Sequence, residues 1–138
     1  IFVSIFGKGW QGMVPQSWIS SEFIENSQLS ALYGSSGIVL NDHRPDMARE
    51  GFYSNRLFDA VASGGRVVSD DVAGVEELFE GAVQTYGSPS DLAILCAPEN
   101  RGQWGTNEEI VARANRIGQV HSFDQRAKEL VQAIQDLI

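Results

Sequence analysis

Apolar runs alternate along the chain with segments of helical period, and this alternation predicts the fold. Short continuous apolar stretches, typical of strands buried on both faces, fall at residues 2–6, 38–41, 66–69 and 83–86, with a weaker one around 18–24. Helical segments lie between them. Strands joined by helices are typical of a parallel sheet covered by helices. The pattern therefore predicts an α/β fold, a Rossmann-like doubly wound parallel sheet, whose ligands bind beyond the carboxyl ends of the strands.

Capping residues predict where the helices begin and end. Ser54 or Asn55 can cap a helix over residues 56–63, and Gly64 and Gly65 form its stop. Asp71 is expected to cap a short helix that follows the strand at 66–69. Three further helix starts are predicted by the same rule, at Ser88, Thr106 and Ser122. The last helix carries an apolar face made of Ala127, Leu130, Val131, Ile134, Leu137 and Ile138.

Length and composition indicate one ordered domain, residues 1–138. Of these residues 43% are hydrophobic, which is ample for a packed core and excludes disorder. Residues 97–105 are the one plausible internal linker. The net charge of −8, from 18 acidic and 10 basic side chains, repels phosphate backbones and argues against a nucleic-acid partner. A small anion site, built from backbone N–H groups and one or two cations, is compatible with this charge.

The lone cysteine and the lack of long apolar runs indicate in which cellular compartment the protein is found. Cys96 cannot form an internal disulfide, which fits a reducing environment, and its apolar neighbours indicate a structural thiol. No apolar run approaches the ~18 residues of a transmembrane helix, and no basic-then-apolar signal opens the chain. We therefore expect a cytoplasmic protein without a transmembrane segment. Ile1 opens a strand-like stretch, so we also expect that the chain is cut from a longer polypeptide.

A glycine-rich turn follows the first predicted strand. Glycines at 7, 9 and 12 match the G-x-G-x-x-G pattern of dinucleotide-binding domains, in which the glycines open a helix. Here Pro15 and the short distance to the next strand leave little room for that helix. A glycine turn with a solvated Lys8 is the simpler interpretation. Nicotinamide or flavin binding stays open as an alternative.

The segment from Asn41 to Asp59 combines the features of an anion site. A buried strand leads into a long polar loop, and Gly51 leads on to a capped helix whose free N–H groups and positive dipole end suit a diphosphate. Arg56, in the first turn, is disfavoured by the helix dipole unless an anion binds there. Asp59 lies one turn on, on the same side as Asn55 and Arg56. Its carboxylate can accept hydrogen bonds from both hydroxyls of a ribose.

Simpler interpretations of the polar residues also stay open. Asp59 can lie on a solvated helix face, paired with one of its two polar neighbours. Asp42, His43 and Asp46 could hold a metal ion, but their spacing suits a polar loop better. Aromatic residues in a small domain belong more often to the core than to a ligand site, and this applies to Trp10, Trp18 and Trp104.

An ordered series of motifs gives the sequence a family resemblance. Residues 33–41 read Tyr-Gly-Ser-Ser-Gly-Ile-Val-Leu-Asn, residues 56–64 read Arg-Leu-Phe-Asp-Ala-Val-Ala-Ser-Gly, residues 74–79 read Gly-Val-Glu-Glu-Leu-Phe and residues 121–126 read His-Ser-Phe-Asp-Gln-Arg. Over about residues 30–135 the series resembles the donor-side domain of group 1 (family 4-like) glycosyltransferases. It is most similar to the branch of spore-maturation-type proteins, which reads R-x-F-E-A-x-A-C-G, then G-x-x-E-L-F, then H-x-Y-x-x-R.

The resemblance implies a two-domain GT-B enzyme of which this chain is the C-terminal half. Such an enzyme transfers a glycosyl group, here expected to be a hexosyl group, from a nucleotide-sugar donor to an acceptor. Members of this fold often need no metal, and we expect no cofactor. The N-terminal acceptor domain is not part of the sequence. Because the catalytic base is expected on that domain, no catalytic residue is assigned here, and the fragment alone is expected to be inactive.

The resemblance also implies which residues contact the donor. In the wider family two glutamates eight positions apart do so, the first near the sugar and the second at the ribose. Asp59 matches the second position, whereas Gly51 stands at the first with Glu50 beside it. This departure keeps open a catalytically silent interaction domain of the same fold. Together, the residue pattern and the resemblance predict seven donor-binding residues: Lys8, Glu50, Gly51, Phe52, Asn55, Arg56 and Asp59.

Overall fold

The computed structural model describes residues 2–137, which contain five strands and seven α-helices. The strands are β1 (Ile5–Phe6), β2 (Ile19–Ser21), β3 (Val39–Leu40), β4 (Val67–Asp70) and β5 (Val83–Tyr86). The helices are α1 (Asn26–Ser35), α2 (Pro45–Arg49), α3 (Asn55–Ala62), α4 (Val75–Leu78), α5 (Pro89–Leu95), α6 (Asn107–Val120) and α7 (Phe123–Gln135). Two 3-10 helices lie at Gln16–Trp18 and Pro98–Trp104.

The paired strands are parallel, as the sequence predicts, and they form two sheets. β3, β4 and β5 lie side by side in that order, with Val67 opposite Val39 on one side and Val83 on the other. β1 and β2 form a separate pair. These two strands are short and at best half-buried, so they lack the apolar run that a strand buried on both faces requires. The Rossmann-like α/β class is confirmed, with its strands divided between two sheets.

Side chains of β4 alternate between two buried clusters. Val67 belongs to the first cluster, and its neighbour Val68 belongs to the second. The first cluster also contains residues of α3, α4 and α6, namely Leu57, Val61, Val75 and Ile117. The second contains Leu95 of α5 and Trp104. Because consecutive strand residues point to opposite faces, both faces of the three-stranded sheet are covered.

Helix α3 begins and ends with the capping that the sequence predicts. Ser54 is its N-cap, and the Ser54 hydroxyl accepts the N–H of Arg56. At the other end Gly64 has a φ of +79°, and the N–H of Gly65 reaches the carbonyl of Ala60 at 2.8 Å. This is a Schellman C-cap, which requires a left-handed residue and so favours glycine. Both ends of α3 are therefore fixed.

The other predicted helix starts are confirmed except one. Ser88, Thr106 and Ser122 are N-caps, each accepting an N–H from three residues on. The expectation that Asp71 caps α4 is wrong. Gly74, in the left-handed region with φ +82°, is the N-cap instead, because the chain turns once more before the helix begins.

The segment expected to be a linker is anchored to the core by one buried residue. Residues 97–105 contain the 3-10 helix Pro98–Trp104, and only 1% of the Trp104 surface is exposed. The indole N–H donates to the carbonyls of Val67 and Ala82 at 3.3 and 3.1 Å. A buried indole with its N–H paired anchors the segment to the sheet. Trp10 and Trp18, in contrast, are 40% and 36% exposed, so the expectation of three core tryptophans holds for Trp104 alone.

The apolar face of α7 is exposed. Its side chains show half or more of their surface, as in Leu130, Val131, Ile134 and Leu137; Ile138, expected on the same face, lies outside the described residues. Periodicity predicts that such a face exists but not what it contacts. Among residues 2–137, no helix combines the length and apolar character needed to cross a bilayer.

We predict that Trp104→Phe lowers the free energy of unfolding by about 1–3 kcal/mol, because it removes a paired indole N–H and leaves a small cavity. Trp18→Phe, at a site that is 36% exposed, is the matched control and should change stability by less than about 0.5 kcal/mol. Urea unfolding followed by far-ultraviolet circular dichroism measures both. Equal effects of the two substitutions would show that residues 97–105 do not anchor the sheet.

Candidate functional site

The carboxyl ends of β3, β4 and β5 bring polar side chains to one edge of the sheet. Asn41 and His43 follow β3, Asp70 ends β4 and Tyr86 ends β5. Asn41 and His43 are buried, with 4% and 6% of their surface exposed. Buried polar side chains require hydrogen-bond partners, and these residues find them within the same cluster. This is the edge at which a parallel α/β sheet binds ligands.

The Asp70 carboxylate is the centre of this polar cluster. Its Oδ1 accepts from the backbone N–H of His43 at 3.0 Å and from the hydroxyl of Ser69 at 3.0 Å. The same oxygen lies 2.6 Å from Nδ1 of His43. Hydrogen bonds to a carboxylate are stronger than those between neutral groups. Asp70 therefore ties the end of β4 firmly to the loop that follows β3.

His43 extends the cluster to the start of α3. Its ring is fully buried, and its Nε2 lies 3.0 Å from the backbone nitrogen of Ser54, the N-cap. A backbone N–H can only donate, so Nε2 accepts and the ring proton is on Nδ1, from which it is donated to Asp70. His43 is thus bonded on one side to the sheet edge and on the other to α3.

The metal site considered for Asp42, His43 and Asp46 is not formed. His43 bonds to Asp70, and Asp46 forms a salt bridge of 3.0 Å with Arg44. Across residues 2–137, no group of three or more possible metal ligands is found.

The side chain of Arg56 extends from α3 to the carboxyl edge of the sheet. Its Nη1 lies 3.5 Å from Oδ1 of Asn41, whose amide donates to Oγ of Ser69 at 3.0 Å. In the described part of the chain, no salt bridge joins Arg56 to a carboxylate. The alternative in which Arg56 neutralises Asp59 is therefore absent from this structure. The positive charge of Arg56 is held near the start of α3 by a neutral partner.

Asn55 and Asp59 line a groove between α3 and the junction of α6 with α7. The groove has a volume of about 360 Å³. Both side chains are exposed, and the side-chain bonds recorded for residues 54–63 involve neither of them. The opposite wall includes Ile117, His121, Phe123 and Arg126. The groove thus extends along the whole of α3, from Asn55 to Ala62.

Backbone N–H groups at the start of α3 are only partly used. The N–H of Ser54 is taken by His43, and that of Arg56 by the Ser54 hydroxyl at 3.3 Å. Within residues 2–137 no acceptor is found for the N–H of Asn55. A free N–H at the positive end of a helix dipole is suited to an anion.

Glu50, Gly51 and Phe52 form an exposed turn between α2 and α3. The loop predicted before α3 contains the short helix α2, and Gly51 then reverses the chain with a φ of +72°. Glu50 pairs with Arg49 at 3.2 Å, and Phe52 is 64% exposed. All three predicted contact residues are therefore accessible ahead of the helix start.

Lys8 lies in the exposed loop between β1 and β2, which form a sheet of their own. Gly7, Gly9 and Gly12 around it all have positive φ, as expected for a glycine turn. The chain continues into the 3-10 helix Gln16–Trp18 and then β2, so no α-helix opens at the glycines. The nicotinamide alternative therefore lacks the helix start that holds the pyrophosphate.

Tyr86 is the titratable group that this edge perturbs. Burial raises the pKa of the Tyr86 phenol above its usual value, and the negative charges of Asp42 and Asp70 raise this pKa further. Deprotonation would add a third negative charge beside two carboxylates. Tyr86 is therefore held in its neutral, hydrogen-bonding form.

The sequence interpretation placed ligand binding beyond the carboxyl ends of the strands, but it missed the polar cluster that joins Asn41, His43, Ser69 and Asp70 there. A usable signal exists, because these residues stand at the ends of two predicted buried strands, and the carboxyl ends of parallel strands meet at one edge. Of the residues predicted on α3, Asn55 and Asp59 line the same groove, whereas the Arg56 side chain contacts Asn41 at the sheet edge.

Comparisons with known proteins agree with this geometry. A family described as glycosyl transferase-like matches residues 1–132. No curated protein and no solved structure gave a significant match.

We predict that Asp42→Asn moves the titration of Tyr86 to lower pH, because it removes one of the charges that raise the Tyr86 pKa. The pKa of Tyr86 should still lie above its usual value in this variant, because the burial that raises it is unchanged. In the unmutated protein the pKa of Tyr86 is higher in the folded state than in the unfolded state. The contribution of Tyr86 to the free energy of unfolding is therefore fully present below about pH 10, the usual tyrosine pKa, and is lost as pH rises through the folded-state pKa. Carbon-13 magnetic resonance of the tyrosine rings, followed as a function of pH, measures the titration of Tyr86. Asp46→Asn, whose carboxylate is paired with Arg44, is the control, and equal shifts in both variants would contradict the assignment.

Proposed function

The chain belongs to the glycosyl transferase-like family, and we propose that this domain binds the nucleoside-diphosphate sugar donor of a glycosyl transfer reaction. The observation that carries the proposal is the arrangement at the start of α3. There Asn55, whose N–H has no acceptor within residues 2–137, and Asp59 line one groove. Arg56 belongs to the same helical turn, and its cation lies at the sheet edge beside neutral Asn41. A nucleoside diphosphate presents a matching pair of groups, an anionic diphosphate and a ribose diol.

The diphosphate is assigned to the helix start. A cation in the first turn of a helix is disfavoured by the dipole, and a bound anion reverses that effect. Arg56 is held by one long bond of 3.5 Å to neutral Asn41, which a phosphate oxygen can replace with a stronger, charge-assisted one. The N–H of Asn55 supplies a second donor.

The ribose is assigned to Asp59. The carboxylate lines the groove one turn after Asn55, and side chains of a helix tilt toward its N-terminus. A ribose joined to a diphosphate at the helix start would therefore meet a carboxylate that can accept from both of its hydroxyls.

The sugar is assigned to the exposed turn of Glu50, Gly51 and Phe52, which precedes the helix start. Lys8 lies in the separate β1–β2 pair, and the proposal does not depend on it. At the finer level we propose the spore-maturation-type branch of group 1 enzymes with a GT-B architecture, supported by the motif on α3 and the Gly-Val-Glu-Glu-Leu-Phe run at 74–79. The acceptor and the catalytic base are assigned to a second domain outside these 138 residues, so transfer requires both.

We predict that the 138-residue chain binds uridine or guanosine diphosphate weakly, since the proposed second domain would supply the other half of the cleft, and that it does not bind nicotinamide dinucleotides. Calorimetry or ligand-observed magnetic resonance measures both. Equal binding of nucleoside diphosphates and dinucleotides would reject the proposed donor site in favour of a general nucleotide site. No binding of either would favour the silent interaction domain.

We predict that Asp59→Asn weakens nucleoside-diphosphate binding by roughly ten- to a hundred-fold, because a charged hydrogen bond contributes about 1.5–3 kcal/mol and 1.4 kcal/mol is tenfold. Folding should be nearly unaffected, since the side chain is exposed. Asp136→Asn, on the end of α7 and not among the groove residues, is the matched control and should leave affinity unchanged.

A 2′,3′-dideoxy analogue separates ribose contact from other effects of Asp59. It should reproduce most of the loss in the unmutated protein and almost none in Asp59→Asn. If the two losses simply add, Asp59 does not touch the ribose, and it is then a solvated residue of the helix face.

A further inference from the structure

We propose that His43 is a positioning residue of the donor site, which fixes the first residues of α3 against the carboxyl edge of the sheet without touching the nucleotide. The inference rests on the proposed donor site and adds to it the group that holds the proposed phosphate-binding donor, the N–H of Asn55, in place. His43 has a fully buried ring, with one nitrogen bonded to Asp70 and the other to Ser54.

The bonds of His43 define which nitrogen carries the proton. Ser54 offers a backbone N–H, which cannot accept, so Nε2 must be unprotonated. The proton on Nδ1 is then donated to Asp70, whose Oδ1 also accepts the backbone N–H of His43 and the Ser69 hydroxyl. This arrangement holds the ring in one orientation, and the ring in turn directs the N–H of Ser54 toward the protein interior.

The hydrogen bond between Ser54 and His43 affects the orientation of the amide groups that follow Ser54. The chain reaches Ser54 from an exposed turn, and its other anchor there is the Tyr53 hydroxyl, which donates to the carbonyl of Ala73 at 2.7 Å. The bond from Ser54 to His43 sets the direction of the N-cap residue itself. The orientation of the N-cap determines how the helix begins, so it affects the directions of the N–H groups in the first turn, of which that of Asn55 has no acceptor among the described residues. Diphosphate binding by backbone donors depends on those directions.

The second histidine provides an internal comparison. His121 has its Nδ1 3.0 Å from Nη2 of Arg126, and a guanidinium can only donate. Nδ1 of His121 is therefore the acceptor and its proton is on Nε2. The two histidines of the chain are expected to be opposite tautomers, which makes the assignment of His43 measurable within one sample.

The first test needs no nucleotide. Nitrogen-15 magnetic resonance of the histidine rings at neutral pH should show His43 protonated on Nδ1 and His121 on Nε2. Hydrogen exchange of the Ser54 amide should be slow and should become faster in His43→Asn. His43 protonated on Nε2, or a rapidly exchanging Ser54 amide in the unmutated chain, would overturn the proposal.

The second test uses two substitutions that each keep half of the ring's bonding. In His43→Gln the side-chain carbonyl can reach the Ser54 amide in place of Nε2, whereas in His43→Asn the side-chain amide can replace Nδ1 as donor to Asp70. Each variant loses one buried hydrogen bond, so their melting temperatures should fall by similar amounts. We expect His43→Asn to weaken binding of uridine or guanosine diphosphate by about tenfold, the equivalent of one hydrogen bond to an anion, and His43→Gln to retain most of the affinity.

Each outcome decides the question. Affinity that follows melting temperature, with the two variants equal, would show that His43 is structural only and would overturn the positioning role. Unchanged affinity in both variants would overturn it as well. If the unmutated chain bound no nucleoside diphosphate, the proposed function would fail, while the tautomer and the exchange of the Ser54 amide would still support or reject the contact between His43 and α3.

Discussion

Burial of β4 on both faces is the constraint on which the rest of the structure depends. Val67, Val68 and Ser69 expose none of their surface, so helices must cover the sheet on both sides and every polar group along the strand must be paired. Even Ser69 obeys this rule, since its hydroxyl donates to Asp70 and accepts from Asn41. Polar chemistry therefore begins only where the strand ends, at Asp70, and the same constraint that creates the core also places the site.

The candidate site depends more on the position of the backbone at the start of α3 than on charged side chains. Asp70 and His43 connect the sheet edge to Ser54, and the buried residues Leu57 and Val61 hold the following turns of α3 against the sheet. A helix start fixed in this way can offer N–H donors to an anion although the whole chain carries a net charge of −8. This strongly acidic member of the glycosyl transferase-like family thus keeps, among its described residues, a free N–H at the positive end of a helix dipole, that of Asn55.

Local patterns could be predicted from the sequence, whereas contacts between distant segments could not. The strand at β5 and the caps of α3 depend on a few neighbouring residues, and both were predicted. The bond between His43 and Asp70 joins residues 27 positions apart, and its existence depends on how β3 and β4 pair. Periodicity likewise identified the apolar face of α7 but not its exposure, and Gly74 replaced Asp71 as a cap because of a left-handed turn that composition does not reveal.

The chain offers two glycine-associated turns that could be mistaken for phosphate sites, and physical requirements distinguish them. A phosphate site needs free N–H groups that converge and a helix dipole aligned behind them. The turn around Gly9 is followed by a 3-10 helix of three residues, so its glycines serve the chain reversal that their positive φ values require. The turn at Gly51 is followed by α3, with eight residues, a capped start and a free N–H at Asn55 within the described residues. The second turn therefore leads to a capped α-helix start with a free N–H, which the first lacks, although the first has the better-known sequence pattern.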